Sequence, residues 1–188
     1  MDHHINKLKG PTFKALSVLK PYLQYMNLTQ RKQMIQSKVL SIPMYGLGLY
    51  VGQTEAVKSK ITTVFMRAYR EIYRQPLPMK TKNEFICKKI GCKTTRQLII
   101  QEGLKFISRI VNTQTPPQIF KMLKFPRKPR KNALIQTTRT PRTIKCKRSI
   151  IYKTIRQFNS LHSSIKFLHP KLFKVAIEKR SIIEVPDD

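Results

Sequence analysis

The sequence predicts an all-α, or mainly α, fold: a multi-helix bundle around an αα-hairpin. Three observations predict it. Val57, Ile61, Val64, Phe65, Ala68, Tyr69, Ile72 and Tyr73 fall at helical spacing, one apolar stripe sustained over about five turns. Two capping-box patterns, Thr81 with Glu84 and Thr94 with Gln97, stand in front of further apolar runs. Proline and glycine punctuate the chain between these segments.

A first helix is expected to open at Pro11, a residue suited to the first helical position, with Phe13, Leu16, Leu19 and Leu23 on its apolar side. Pro21 shortens or kinks it. The hairpin follows. Thr29 caps a helix carrying Met34, Ile35, Val39 and Ile42, and Pro43 ends it at Ile42. MYGLGLYVG continues as an apolar segment loosened by Gly46, Gly48 and Gly52. A short turn at Gly52 and Gln53 leads to Thr54, the expected N-cap of the second helix, with Glu55 in its first turn. Lys58, Lys60, Arg67, Arg70 and Arg74 lie between the stripe positions, so this helix has an apolar back and a basic front.

Residues 76–80 break the pattern before a helix containing Phe85, Ile86 and Ile90. The next helix, with Leu98, Ile99, Leu104, Phe106, Ile107, Ile110 and Val111, is expected to be largely buried. Pro116 and Pro117 start a short helix holding Ile119, Phe120, Met122 and Leu123. Residues 124–148 change character, with ten Lys or Arg and three Pro in 25 positions. They read either as an extended basic arm crossing the helical core, with at most a short strand pair, or as a disordered linker. Ala133, Leu134, Ile135, Ile144 and a few others are its burial candidates. Helical pattern returns with Ile150, Ile151, Ile155 and Phe158. A turn near Ser163 or Ser164 and a last helix from Pro170, with Leu172, Phe173, Ala176 and Ile177, complete the chain. The expected organisation is a helical bundle over 1–123, the arm over 124–148, and a C-terminal helical segment over 149–188 packing on the bundle.

The charge points to a partner. The 188 residues include 38 Lys plus Arg against 9 Asp plus Glu, a net charge of +29. From Gly103 to Ile177 there is no acidic residue. Self-repulsion of this size is tolerated for a polyanionic partner, and a single-sign surface reads first as a nucleic-acid footprint. An anionic membrane surface is the competing partner. No apolar run has the length of a membrane span. MDHHINKLKG lacks the h-region of a secretory signal and the Arg- and Ser-rich pattern of a mitochondrial presequence. Three cysteines without disulfide-like spacing suit a reducing compartment. The expected setting is intracellular, in a nuclear or cytoplasmic ribonucleoprotein.

The chemistry of a site is thinner. Cys87, Cys92, Cys146, His162 and His169 could supply zinc ligands, but their spacing is loose and incidental cysteines are the simpler reading. No metal site and no cofactor are expected. GLGLYVG lacks the Lys and Ser/Thr of a phosphate-cradling loop. Tyr22, Tyr25, Tyr69, Tyr73 and Tyr152 could stack on bases or serve as core. Phosphate contacts are assigned to Arg67, Arg70 and Arg74 on the hairpin, to Arg127, Lys128, Arg130 and Lys131, and to Arg139, Arg142, Lys145, Lys147 and Arg148. Such contacts position a nucleic acid without reading its sequence.

Several short motifs occur in a recognisable order. Arg31, Ser37, Leu40, Pro43, Tyr45, Gly46, Tyr50 and Gly52, followed by Ala68, Arg70 and Ile72, resemble the thumb region of non-LTR retrotransposon reverse transcriptases. Pro117 to Leu123, then Pro141, Arg142 and Thr143, then Phe158 to Leu161, then Phe173 and Lys174, resemble that family's later segments, so the likeness runs from about His4 to Lys179. Tyr50 and Phe158 stand where the family has tryptophan, and His162 follows Leu161 where it has proline. The resemblance implies a thumb and the region following it, without the catalytic palm. The aspartates of this chain are Asp2, Asp187 and Asp188, at its ends, so the paired metal-binding aspartates of such polymerases have no counterpart. The expected function is therefore non-catalytic. A thumb-like protein or fragment would hold primer–template duplex by its backbone, alone or with a polymerase palm as partner. The target is RNA, DNA or an RNA–DNA hybrid. The alternative is a structural RNA- or DNA-binding component of a ribonucleoprotein or nucleoprotein particle.

Overall fold

The computed structural model describes residues 2–76, 78, 81–123, 135 and 149–179. Among them are ten α-helices, one 3-10 helix and no strand, which makes the fold mainly α. The helices are α1 (Asp2–Leu23), α2 (Leu28–Lys38), α3 (Ser41–Met44), α4 (Glu55–Tyr73), α5 (Asn83–Lys89), α6 (Thr95–Thr113), α7 (Pro117–Met122), α8 (Ile150–Asn159), α9 (Ser163–Lys166) and α10 (Pro170–Lys179). The described residues gather into two compact units. One comprises Met1–Leu47 and Thr54–Arg96, the other Gly48–Gln53 and Gln97–Asp188.

In the first unit α4 is the hub, packing against α1, α2, α3 and α5. Its stripe behaves as its spacing requires: Ile61, Val64, Phe65, Ala68, Tyr69 and Ile72 are buried, together with Met66. Val57 and Tyr73, at the stripe ends, are half-buried. Phe65 and Tyr69 meet edge to face at 6.2 Å between ring centroids, and the Tyr69 hydroxyl donates to the Lys93 carbonyl at 3.1 Å.

Helix α1 begins nine residues before the expected Pro11 and runs to Leu23 through both prolines. Ile5 and Leu8 extend the stripe of Leu16, Leu19 and Leu23 by two turns; Ile5, Leu16 and Leu23 are buried. Continuous burial of one face outweighs the single backbone bond each proline removes.

Helix α2 also departs from expectation. Its N-cap is Asn27, not Thr29, because Asn27 and Gln30 form a reciprocal capping box with bonds of 2.9 and 3.0 Å. It ends at Lys38, short of Ile42. Val39 and Leu40 both donate to the Ile35 carbonyl, at 3.0 and 2.9 Å, and this wide closing turn buries two consecutive apolar side chains. Pro43 then lies inside the short α3. The expected tight turn of the hairpin is replaced by α3 and a 3-10 helix, Leu47–Tyr50, where the chain passes from one unit to the other.

The Thr81–Glu84 capping box is not formed. Lys82 occupies the N-cap of α5, and the Thr81 hydroxyl donates to the Pro78 carbonyl at 2.7 Å. At its other end α5 closes in a Schellman motif. Cys92 N–H donates to the Cys87 carbonyl at 2.9 Å and Gly91 N–H to that of Lys88 at 3.2 Å, with Gly91 at φ +60°.

In the second unit the core joins Leu104, Ile107, Ile110, Leu123, Ile135, Ile155, Phe158, Leu161, Ile165, Phe173 and Ile177. Residues on both sides of position 123 thus share one core. Gly48 and Gly103 let the segment 48–53 approach α6. A Cβ on Gly103 would lie 2.7 Å from Val51 Cγ2, and one on Gly48 would lie 3.3 Å from the Gly103 nitrogen. Thr94 precedes α6, and Pro116 and Ser149 cap α7 and α8; the Ser149 hydroxyl accepts from Tyr152 N–H at 3.1 Å. The expected turn near Ser163 is the one-turn helix α9, capped by the His162 ring. Apart from Ile135, the basic segment 124–148 lies outside the described residues.

Candidate nucleic-acid interface

The front of α4 carries the described part of the expected basic surface. Lys60, Arg67 and Arg74 recur every seven residues and are exposed, as is Arg70. Seven residues are two turns, so Lys60 and Arg67 lie along one line of the helix about 10.5 Å apart, and Arg74 follows at the C-cap. The face opposite the buried stripe therefore presents cations to solvent along the length of α4.

Two of these arginines are held in place. The Arg67 guanidinium lies 4.3 Å from the centroid of the Phe13 ring on α1, a cation–π contact that keeps its charge outward on a fixed base. Arg74 caps α4 in the left-handed region at φ 49°, its N–H donating to the Arg70 carbonyl at 2.8 Å. No ion pair joins Arg67, Arg70 or Arg74 to a carboxylate among the described residues. The other predicted phosphate contacts, Arg127, Lys128, Arg130, Lys131, Arg139, Arg142, Lys145, Lys147 and Arg148, lie outside the described residues.

Other cations serve the fold. Lys20 meets Glu71 at 3.2 Å and Lys58 meets Glu55 at 2.7 Å. Lys105 bridges Glu102 and Glu178, each at 2.8 Å. Burial alone would lower the Lys105 pKa, but the hydrogen bonds it donates to the two glutamates outweigh it and hold the group above its usual range. Lys166 is almost fully buried. Its Nζ donates to the Asn159 carbonyl at 2.6 Å, and burial lowers its pKa.

Asn159 has a second task that the sequence did not disclose. Its side-chain NH2 donates to the Ile135 carbonyl at 2.7 Å and its Oδ1 accepts from Ile135 N–H at 3.3 Å. Ile135, one of the burial candidates of the basic segment, is fully buried. A lone Asn at a helix end carries no sequence signal for a partner 24 residues away.

The tyrosines separate. Tyr69 is buried and engaged, and burial raises its pKa; Tyr73 and Tyr152 are half-buried. Tyr22 and Tyr25 are 60 % and 84 % exposed. Tyr50 and Phe158 are both fully buried. Of the cysteines, Cys87 is buried and its thiol pushed up to about 11, first by burial and then by Cys92, and Cys92 is half-buried. Cys146 lies outside the described residues, and His162 Nδ1 is 2.8 Å from the Ser164 hydroxyl. Among the described residues no group of three or more His, Cys, Asp or Glu is placed to hold a metal ion. No described helix is long and apolar enough to cross a membrane. No family model, curated protein or solved structure matches the chain.

Proposed function

We propose that this protein binds nucleic acid through the phosphate backbone and does not itself catalyse a reaction on it. The observation that carries the reading is the exposed set of Lys60, Arg67 and Arg70 on the helix whose opposite face is the core of its unit, with exposed Arg74 at its C-cap. A rigid helix with evenly spaced cations suits a phosphate backbone, which presents regularly spaced negative charge. The acid-free run from Gly103 to Ile177 extends the same sign over much of the remaining chain. The likeness to the reverse-transcriptase thumb supports a duplex held beside a catalytic centre supplied by another polypeptide or domain. The absence of any aspartate between Asp2 and Asp187 supports a non-catalytic role for the chain itself.

The test is a set of anisotropy titrations at several salt concentrations on two unrelated duplexes. Each phosphate contact contributes about 0.9 to the slope of log K against log salt. Replacing Arg67, Arg70 and Arg74 by Gln is expected to flatten the slope by about 2.7. Replacing Arg127, Lys128, Arg130, Lys131 and Arg142 by Gln is expected to flatten it by about 4 to 5. Losses should be alike on both duplexes, because phosphate contacts do not read bases. Unchanged slopes in both variants would sink the backbone reading. A loss confined to one duplex would replace it with base readout.

A further inference from the structure

We infer that the groove along the outer side of α2 is a binding site for unpaired bases of single-stranded nucleic acid, with Tyr25 as its stacking platform. The inference rests on the nucleic-acid reading above and adds a second mode to it. Several observations converge on the groove.

The groove has a volume of about 880 Å³ and is lined by Tyr25, Met34, Gln30, Gln33, Ser37 and Lys38, among others. It belongs wholly to the first unit. It lies on the side of α2 away from the core, since Ile35 is buried while Gln30, Gln33 and Ser37 are exposed. Tyr25 stands in the turn between α1 and α2 with 84 % of its surface exposed. An aromatic ring so placed contributes little to the core and is held only by the turn. Tyr22, 60 % exposed, and Val18, 61 % exposed, continue the apolar surface back along α1 from Tyr25. Such rings serve single-strand binders because every base has a π-face.

The rest of the lining has the chemistry of base edges. Gln30, Gln33 and Gln36 carry amides that both donate and accept, and Ser37 adds a hydroxyl. The Gln30 oxygen is used in the capping box with Asn27, which leaves its NH2 end as the group it can offer. The Gln36 NH2 group approaches the Cys92 sulfur at 3.6 Å, which leaves its oxygen. Half-buried Met34 gives the lining a polarisable apolar surface. Lys38 is the charged residue of the lining, and no carboxylate is present there. A polyanion is thus met by a cation in the lining with no repelling charge there. An acidic or neutral peptide would also tolerate Lys38, but it would not need three amides beside an exposed ring.

The experiment compares a 12-nucleotide oligo(dT) and an oligo(rU) of the same length with a duplex of equal length. The chain has no tryptophan, so quenching of tyrosine emission reports stacking directly. Wild type is expected to bind the single strands with quenching. Tyr25→Ala is expected to weaken single-strand binding about 5- to 150-fold, to remove part of the quenching, and to change duplex affinity less than about twofold. Tyr25→Phe should keep single-strand affinity within about twofold, because the ring and not the hydroxyl stacks. The exposed position of Tyr25 lets Tyr25→Ala fold, and an unchanged melting midpoint checks it. Single-strand affinity unaltered by Tyr25→Ala overturns the inference while leaving backbone binding standing, and it directs the groove to a protein partner instead. An equal loss on duplex and single strand also overturns it. A wild-type protein that binds neither form fails both readings at once.

Discussion

The Lys32 ammonium donates to the Gly91 carbonyl at 2.6 Å and to the Ile90 carbonyl at 3.2 Å, so a side chain of α2 caps the C-terminal end of α5. A cation there satisfies carbonyls that the helix leaves without partners and meets the negative end of its dipole. Lys32→Met keeps much of the stem and removes the charge, and is expected to cost about 1 to 2 kcal/mol in reversible urea denaturation. Gly91→Ala places a Cβ at φ +60° and is expected to cost a similar amount, with Gly91→Asn milder because Asn tolerates the left-handed region. Both variants losing less than about 0.3 kcal/mol would show that α5 closes without this contact.

Phe65 is fully buried at the centre of the α4 stripe, in edge contact with Tyr69. Phe65→Ala is expected to lower stability by about 3–5 kcal/mol, the transfer loss plus the cavity left behind. Chemical denaturation followed by circular dichroism measures it. A loss below about 1 kcal/mol would place the stripe at the surface.

Asn159→Ala removes both partners of the buried Ile135 backbone. Leaving those groups without hydrogen bonds is expected to cost about 1–3 kcal/mol. A sharper readout is amide hydrogen exchange at Ile135, where protection should drop in the variant while amides within α4 keep theirs. Retained protection at Ile135 would contradict the pinning role of Asn159.

Cys87 links stability to alkaline pH. Its thiol titrates near 11 in the folded chain, against an ordinary 9.0. Between those values the unfolded chain has released this proton and the folded chain still holds it. Stability is therefore undiminished below pH 9 and falls as pH rises towards 11, by up to about 2–3 kcal/mol. Cys87→Ala should flatten the fall between pH 9 and 11. Tyr69, also raised by burial, has the same sign and leaves a remainder above pH 10. Equal pH profiles for the variant and wild type would exclude the thiol as the source.

The sequence by itself determined the helical class, the position and buried face of α4, and the basic front of that helix. The reason is local. A period of 3.6 residues sorts side chains onto opposite faces whatever packs against them. Pro117 and Pro170 likewise mark helix starts through the fixed backbone of the first turn. Tertiary structure decided what depends on neighbours distant in the chain. Burial of Ile5 carried α1 through Pro11, and the paired burial of Val39 and Leu40 ended α2 early. Packing also sorted residues of identical type. Tyr69 went to the core and Tyr25 to the surface; Lys32 and Lys166 became caps on carbonyls while Arg70 and Arg74 kept their charge in solvent. Spacing along a chain gives a side chain its face, but what lies across from that face is set only when other segments arrive. The Asn159–Ile135 clasp and the Phe13 ring beneath Arg67 come from that second step.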